Sequence, residues 1–190
     1  MSGAQHLVQA AATLKQVVAG ISPSQLSAPT PCAEFDVRAL INHLLFWGPS
    51  FEAAARGERV APPAEAVDRT GGDWAKALLS QLDRTSRAWD APDAWTGQTH
   101  MGGPTTYPSE LVGHLITIEC TVHSWDLSRA TDTEATWDTD TLSQTLAEVT
   151  RTAAKGREMG AYAEEVTVPE DALLLDKIVA KTGRDPRWLP

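Results

Sequence analysis

Residues 111–130, LVGHLITIECTVHSWDLSRA, form the longest uninterrupted apolar-patterned segment and point to a helical fold. Their apolar residues recur at helical spacing without a proline, and Pro108 suits a first helical position, so a long helix is expected to about Ala130. At about 100° per residue, Val112, Leu115, Ile116, Val122 and His123 all fall within about 60° of Glu119. Glu119 and His123 thus sit in the middle of the apolar stripe, where an ionisable group is costly unless paired or bound to a metal. Asp126 lies within about 20° of Glu119, one turn below His123, and is placed to orient its imidazole. It is equally placed as a surface partner of Arg129 at i+3. His114 and Glu110 come out on the far side with Thr117, Thr121 and Ser124, and cannot converge with the first pair.

Working outward, residues 2–20 set Leu7, Ala10, Ala11, Leu14, Val17 and Val18 at helical spacing and stop at Gly20. Asp36 reads as the N-cap of a second helix from Val37 to about Arg56, which Pro49 should kink or split. On it His43 falls among Ala39, Leu40, Phe46 and Trp47. Asp73 caps a third helix from Trp74 to about Trp89, and Asp138 or Thr139 opens a fifth, to about Met159. A short helix is expected over Asp171–Lys181, residues 90–107 read as irregular, and only Glu165–Val168 hints at a strand. This is an all-α pattern. Its long links fit a four-helix bundle with crossover connections and extra C-terminal helical segments, because loops in simple bundles take about 2–8 residues. Residues 1–160 are assigned to the metal-binding bundle with one additional helix, and residues 161–190 to a tail whose short helix packs on it.

The 190 residues include 16 Lys and Arg against 25 Asp and Glu, a net charge of −9, and 42% hydrophobic residues. Such a balance argues for a soluble globular protein and against a nucleic-acid or anionic-membrane partner. No stretch approaches the roughly 20 apolar residues of a membrane span, and the N-terminus lacks a signal-peptide pattern, so a cytoplasmic location is expected. Cys32 and Cys120 are too far apart for a metal knuckle or a redox pair and read as small buried residues. Seven Trp stand beside three Phe and two Tyr. Trp47 and Trp125 are the two expected to line a cavity. His6 and His100 fall in no pattern and read as surface or loop residues.

His43, Glu119 and His123 together form a three-ligand set on faces that should both point into a bundle, the usual place for its metal sites. Two His and one Glu with open positions suit a catalytic zinc ion, and also admit Ni, Fe, Co or Mn. The plainer alternatives are a hydrogen-bonded core histidine at 43 and a helix-supporting i,i+4 pair at 119 and 123.

TPCAEFDVRALINHLLFW (30–47) resembles the T-P-C-x-x-aromatic-x-V-x-x-L-x-x-H segment of DinB-like metalloproteins, in the actinobacterial branch related to the N-terminal domain of mycothiol-dependent maleylpyruvate isomerase. ECTVHSWDLSRATD (119–132) is similar to that branch's E-x-x-x-H-x-W-D-L-x-x-A-T-G signature, with Asp132 where Gly is usual. VTVPEDALLLDKIVAKTGRDPRW resembles its C-terminal tail. The resemblance implies a DinB-like bundle and a divalent metal, usually zinc, held by His43, Glu119 and His123. It also implies mycothiol as a small-molecule thiol cosubstrate, an electrophilic substrate, thiol-transferase or isomerase chemistry, and bundles that pair as a homodimer. The isomerase has a further C-terminal domain for which 190 residues leave no room, so a reaction other than maleylpyruvate isomerisation is expected. A metal-assisted hydrolase and a non-catalytic, stress-related metal-binding module are the alternatives.

Overall fold

The computed structural model describes residues 1–64 and 67–190. Helix α1, Gly3–Gly20, starts at a reciprocal cap in which Ser2 and Gln5 satisfy each other's backbone N–H groups. Helix α2, Val37–Ala54, is capped by Asp36, whose carboxylate accepts from Ala39 N at 2.7 Å. Asp73 caps α3, Trp74–Trp89, in the same way. Helix α4 spans Ser109–Thr131, α5 spans Thr139–Glu158 behind the Asp138 cap, and α6 spans Leu174–Lys181. A proline costs an interior hydrogen bond, yet α2 runs through Pro49 as one element. Its last turns are held by burial: Gly48, Ser50, Ala53 and Ala54 are all enclosed.

Helix α1 packs on α3 and α4, and α2 packs on the same two. The four therefore form a bundle with α1 opposite α2, which explains the long links: 21–36 and 90–108 each join helices at opposite corners. Outside this bundle α5 and α6 pack on each other and on α4. Helix α4 is consequently covered on both sides, by the main core on one and by a smaller cluster of Ile118, Val122, Val149 and Ile178 on the other. Its polar far face is buried too. Thr117, Thr121 and Thr131 donate to the carbonyls of Gly113, Thr117 and Leu127, so their hydroxyls are satisfied without outside partners.

The bundle is not purely helical. Gln98–His100 (β1) pairs antiparallel with Thr106–Pro108 (β2), with Thr99 opposite Tyr107. The intervening turn uses Gly102 at φ +76°, a conformation that favours glycine. Thr99 Oγ1 donates to Ala54 O at 2.6 Å and ties the ribbon to the end of α2. Pro108 ends β2 and caps α4 rather than occupying its first turn. The strand expected at 165–168 does not form; Val166 N donates instead to Ala180 O beside α6.

Candidate metal centre

Apolar neighbours fix the orientation of both site helices. Leu40, Ile41 and Leu44 are buried on α2, and Val112 and Ile116 on α4, which turns His43 toward Glu119 and His123. His43 Nε2 lies 2.6 Å from Glu119 Oε1, and His123 Nε2 lies 3.3 Å from the same oxygen. The imidazole centroids of His43 and His123 are 5.3 Å apart at 72°. On the other side of His123, Nδ1 lies 2.9 Å from Asp126 Oδ2, so its Nε2 is the nitrogen left facing the cluster.

The charges are strongly coupled. Burial opposes ionisation of Glu119, but the two facing imidazoles outweigh it and hold its carboxyl well below the ordinary range. Burial likewise opposes a charged His123, yet Glu119 and Asp126 prevail and raise its pKa to about 9. The tail contributes at the same place. Arg184 is buried, and its guanidinium grips Asp126 with Nε 3.3 Å from Oδ1 and Nη2 3.1 Å from Oδ2. Tyr162, after α5, packs beside Ile118 and Val122, and burial together with the Glu119 charge pushes its phenol up to about 12. Helical periodicity reveals neither residue, since both lie in irregular segments. Arg184 was visible only as part of the GRDPRW stretch.

His43, Glu119 and His123 each offer one donor atom, and those atoms lie within 4.8 Å of one another. Ligands about 2.0–2.2 Å from a common ion stand at comparable separations, and a carboxylate behind a ligating imidazole is its usual support. The donor set therefore fits a divalent ion. Beside His43 a cavity of about 550 Å³ opens between Phe35, Phe46, Trp47 and Val67. Trp47 stacks on Phe51, and Gly102 of the β1–β2 turn approaches so closely that a Cβ there would stand 3.3 Å from its ring.

The remaining candidates fall elsewhere. Trp125 is buried and lines a separate cavity of about 270 Å³ with Arg129, Asp132 and Trp137, shared with none of the three donors. Asp126 is fully buried and engaged by Arg184; Arg129 donates instead to Trp188 O. His114 is on the far face of α4, as its angle requires, but is buried there against Trp95. His6, expected at the surface, is buried with Nδ1 3.3 Å from Thr141 Oγ1, because α5 covers the start of α1. His100 lies in β1, with Nδ1 3.2 Å from Thr105 O. Cys120 is buried, its thiol pushed up to about 12, while Cys32 is partly exposed.

These features define a class: a DinB-like helical bundle with a His/Glu/His cluster between two of its helices. The family described as mycothiol maleylpyruvate isomerase N-terminal domain matches residues 7–128, and the chain belongs to it. Among solved structures it is similar to the mycothiol-dependent maleylpyruvate isomerase, with a TM-score of 0.63 and 15% identity over 90% of this chain and 77% of that one. A histidine-to-alanine variant of that isomerase aligns with the same TM-score at 14% identity and the same coverage. No curated protein matches the chain.

Proposed function

We propose that the protein is a metal-dependent enzyme that activates mycothiol, a low-molecular-weight thiol, for attack on an electrophilic small molecule. The observation carrying this reading is the convergence of His43, Glu119 and His123, with His43 also lining the cavity walled by Trp47. A divalent ion held by these residues, zinc being the best match to two imidazoles and a carboxylate, lowers the pKa of a thiol that reaches it. The chain's own groups do the rest. Asp126 fixes the tautomer and direction of His123. Phe35, Phe46 and Trp47 form an apolar wall that excludes water and receives the body of a substrate. Arg38 and Arg69 line it together with Asp36 and Asp68, and Arg38 is paired with Asp68 at 3.2 Å, so the polar part of the lining carries both signs of charge. In the reaction the thiol proton passes to solvent and sulfur donates its electron pair to the electrophilic carbon of a conjugated double bond; as the C–S bond forms the C=C π bond breaks, and its electron pair moves to the neighbouring carbon, which takes a proton from solvent.

Family membership supports mycothiol as the thiol, and the absence of a membrane-spanning helix among the described residues is consistent with action on dissolved small molecules. We place it in the cytoplasm, as a homodimer. The test is elemental analysis of the purified protein alongside His43→Ala and His123→Ala, followed by mycothiol conjugation to a panel of electrophiles. Bound metal lost in both variants, together with conjugation that depends on the same residues, is expected. A wild type that holds no metal and is not stabilised by Zn, Ni, Mn or Co would sink the proposal, and thiol-independent turnover would replace it with metal-assisted hydrolysis.

A further inference from the structure

Arg184 lies in the C-terminal tail, outside the residues that match the family, yet it reaches the centre of the molecule. Its Nε and Nη2 address the two oxygens of Asp126 at 3.3 and 3.1 Å, and its Nη1 donates to Thr182 O at 3.1 Å. Asp126 is fully buried, and its Oδ2 lies between Arg184 Nη2 and His123 Nδ1. A carboxylate with one partner can rotate about its χ angles. One held by a planar, two-pronged guanidinium cannot, and the direction it offers to an imidazole is then fixed. Arg184 is itself fixed by position: Arg184 N donates to Val179 O and Thr182 Oγ1 to the same carbonyl, at the end of α6. Helix α6 packs on α5 and α4, so the tail is seated on the same helix that carries Asp126.

From this geometry we infer that Arg184 is a positioning residue for the metal centre, setting the orientation of the His123 imidazole through Asp126. The inference rests on the metal-centre reading above, and it makes the tail part of the site. Arg184 touches none of the three donor groups. Its hydrogen bonds reach the site through one carboxylate.

The test is a cycle of full-length variants: Arg184→Met, Asp126→Asn, both together, and Arg184→Lys, with Zn²⁺ affinity read by chelator competition and folding by circular dichroism. Outer-shell partners of ligating histidines typically contribute about 10–100-fold in metal affinity. Arg184→Met is expected to weaken Zn²⁺ binding by about that factor in the wild-type background and by less than about twofold once Asp126 is Asn. Arg184→Lys, which keeps the charge and loses the fork, should fall between. An equal loss in both backgrounds would show a general structural effect and overturn the inference, as would unchanged affinity in Arg184→Met. Should Arg184→Met not fold, Arg184→Lys decides: a several-fold loss supports the role and unchanged affinity overturns it. A second readout needs no metal. The Nδ1–H proton of His123 should give a downfield, slowly exchanging NMR resonance in the wild type, lost in Arg184→Lys. If wild type fails to bind Zn²⁺ yet shows this change, the metal reading falls and the positioning of His123 stands; if the resonance is unaltered, the positioning falls.

Discussion

Nε2 of His43 on α2 lies 2.6 Å from Oε1 of Glu119 on α4, a contact across 76 positions that fixes two helices of the bundle against each other. The same oxygen faces His123, so one carboxylate serves two imidazoles. Glu119 is therefore the hub of the centre, and its charge sets the behaviour of its neighbours.

Metal binding should strengthen with pH. A ligating imidazole must be neutral, and in the metal-free protein His123 keeps its proton up to about 9. Apparent Zn²⁺ affinity should thus rise by about tenfold per pH unit from pH 7 toward 9, with one proton released per ion. Calorimetry in buffers of different ionisation enthalpy measures that proton.

The metal-free fold should follow the opposite course. The folded pKa of His123 lies above its ordinary 6.5, so its stabilisation is fully present below about 6.5 and lost as pH rises through about 9. The folded pKa of Glu119 is depressed, so its contribution is present above about 4.5 and lost as pH falls toward the lower folded value. The Tm of chelator-treated protein should decline between pH 6.5 and 9; a rising Tm across that window would contradict this assignment.

Glu119→Gln should return His123 to a low pKa. Without the opposing charge, burial pulls the imidazole down from about 9, while the remaining Asp126 limits the fall. An NMR titration of His123 reads the shift, and Zn²⁺ affinity should drop by more than the roughly 100-fold upper range of outer-shell changes.

Trp47→Ala should separate binding from metal retention. The side chain lines the cavity beside His43 but offers no ligand atom, so Zn²⁺ affinity should stay within about twofold. Loss of about 1.5–3 kcal/mol of apolar contact should weaken thiol or substrate binding by about ten- to hundredfold. Steady-state KM against metal titration tells the two apart.

Gly113→Ala should destabilise the bundle. A Cβ at 113 would stand 2.5 Å from the Trp95 ring and 3.0 Å from that of Trp89, which is itself fully buried and bonded to Phe51 O. Overpacking of this kind costs about 2 kcal/mol, or roughly 4–8 °C in Tm for a chain of this size. Thermal unfolding followed by circular dichroism provides the measure.

Much of this was legible in the chain because helices write themselves locally. Asp36, Asp73 and Asp138 mark three N-termini, and the apolar spacing around Glu119 places His123 and Asp126 on its face whatever the rest of the molecule does. Residues 90–107 read as irregular, and the ribbon formed there stays hidden, since three-residue strands carry too few positions to show alternation. Pro49 predicts a broken helix on local grounds, and burial overrules it.

The helices, several of their caps and the alignment of Glu119, His123 and Asp126 on one face follow from local sequence, because a 3.6-residue period depends only on backbone geometry. Tertiary structure alone decided that His43 closes on Glu119, that α5 and α6 bury the polar face of α4 together with His6 and His114, and that Arg184 arrives behind Asp126 from 58 positions away. Contacts between distant segments follow from how whole helix faces pack, and no local spacing encodes which charged side chain of a tail will find a buried carboxylate.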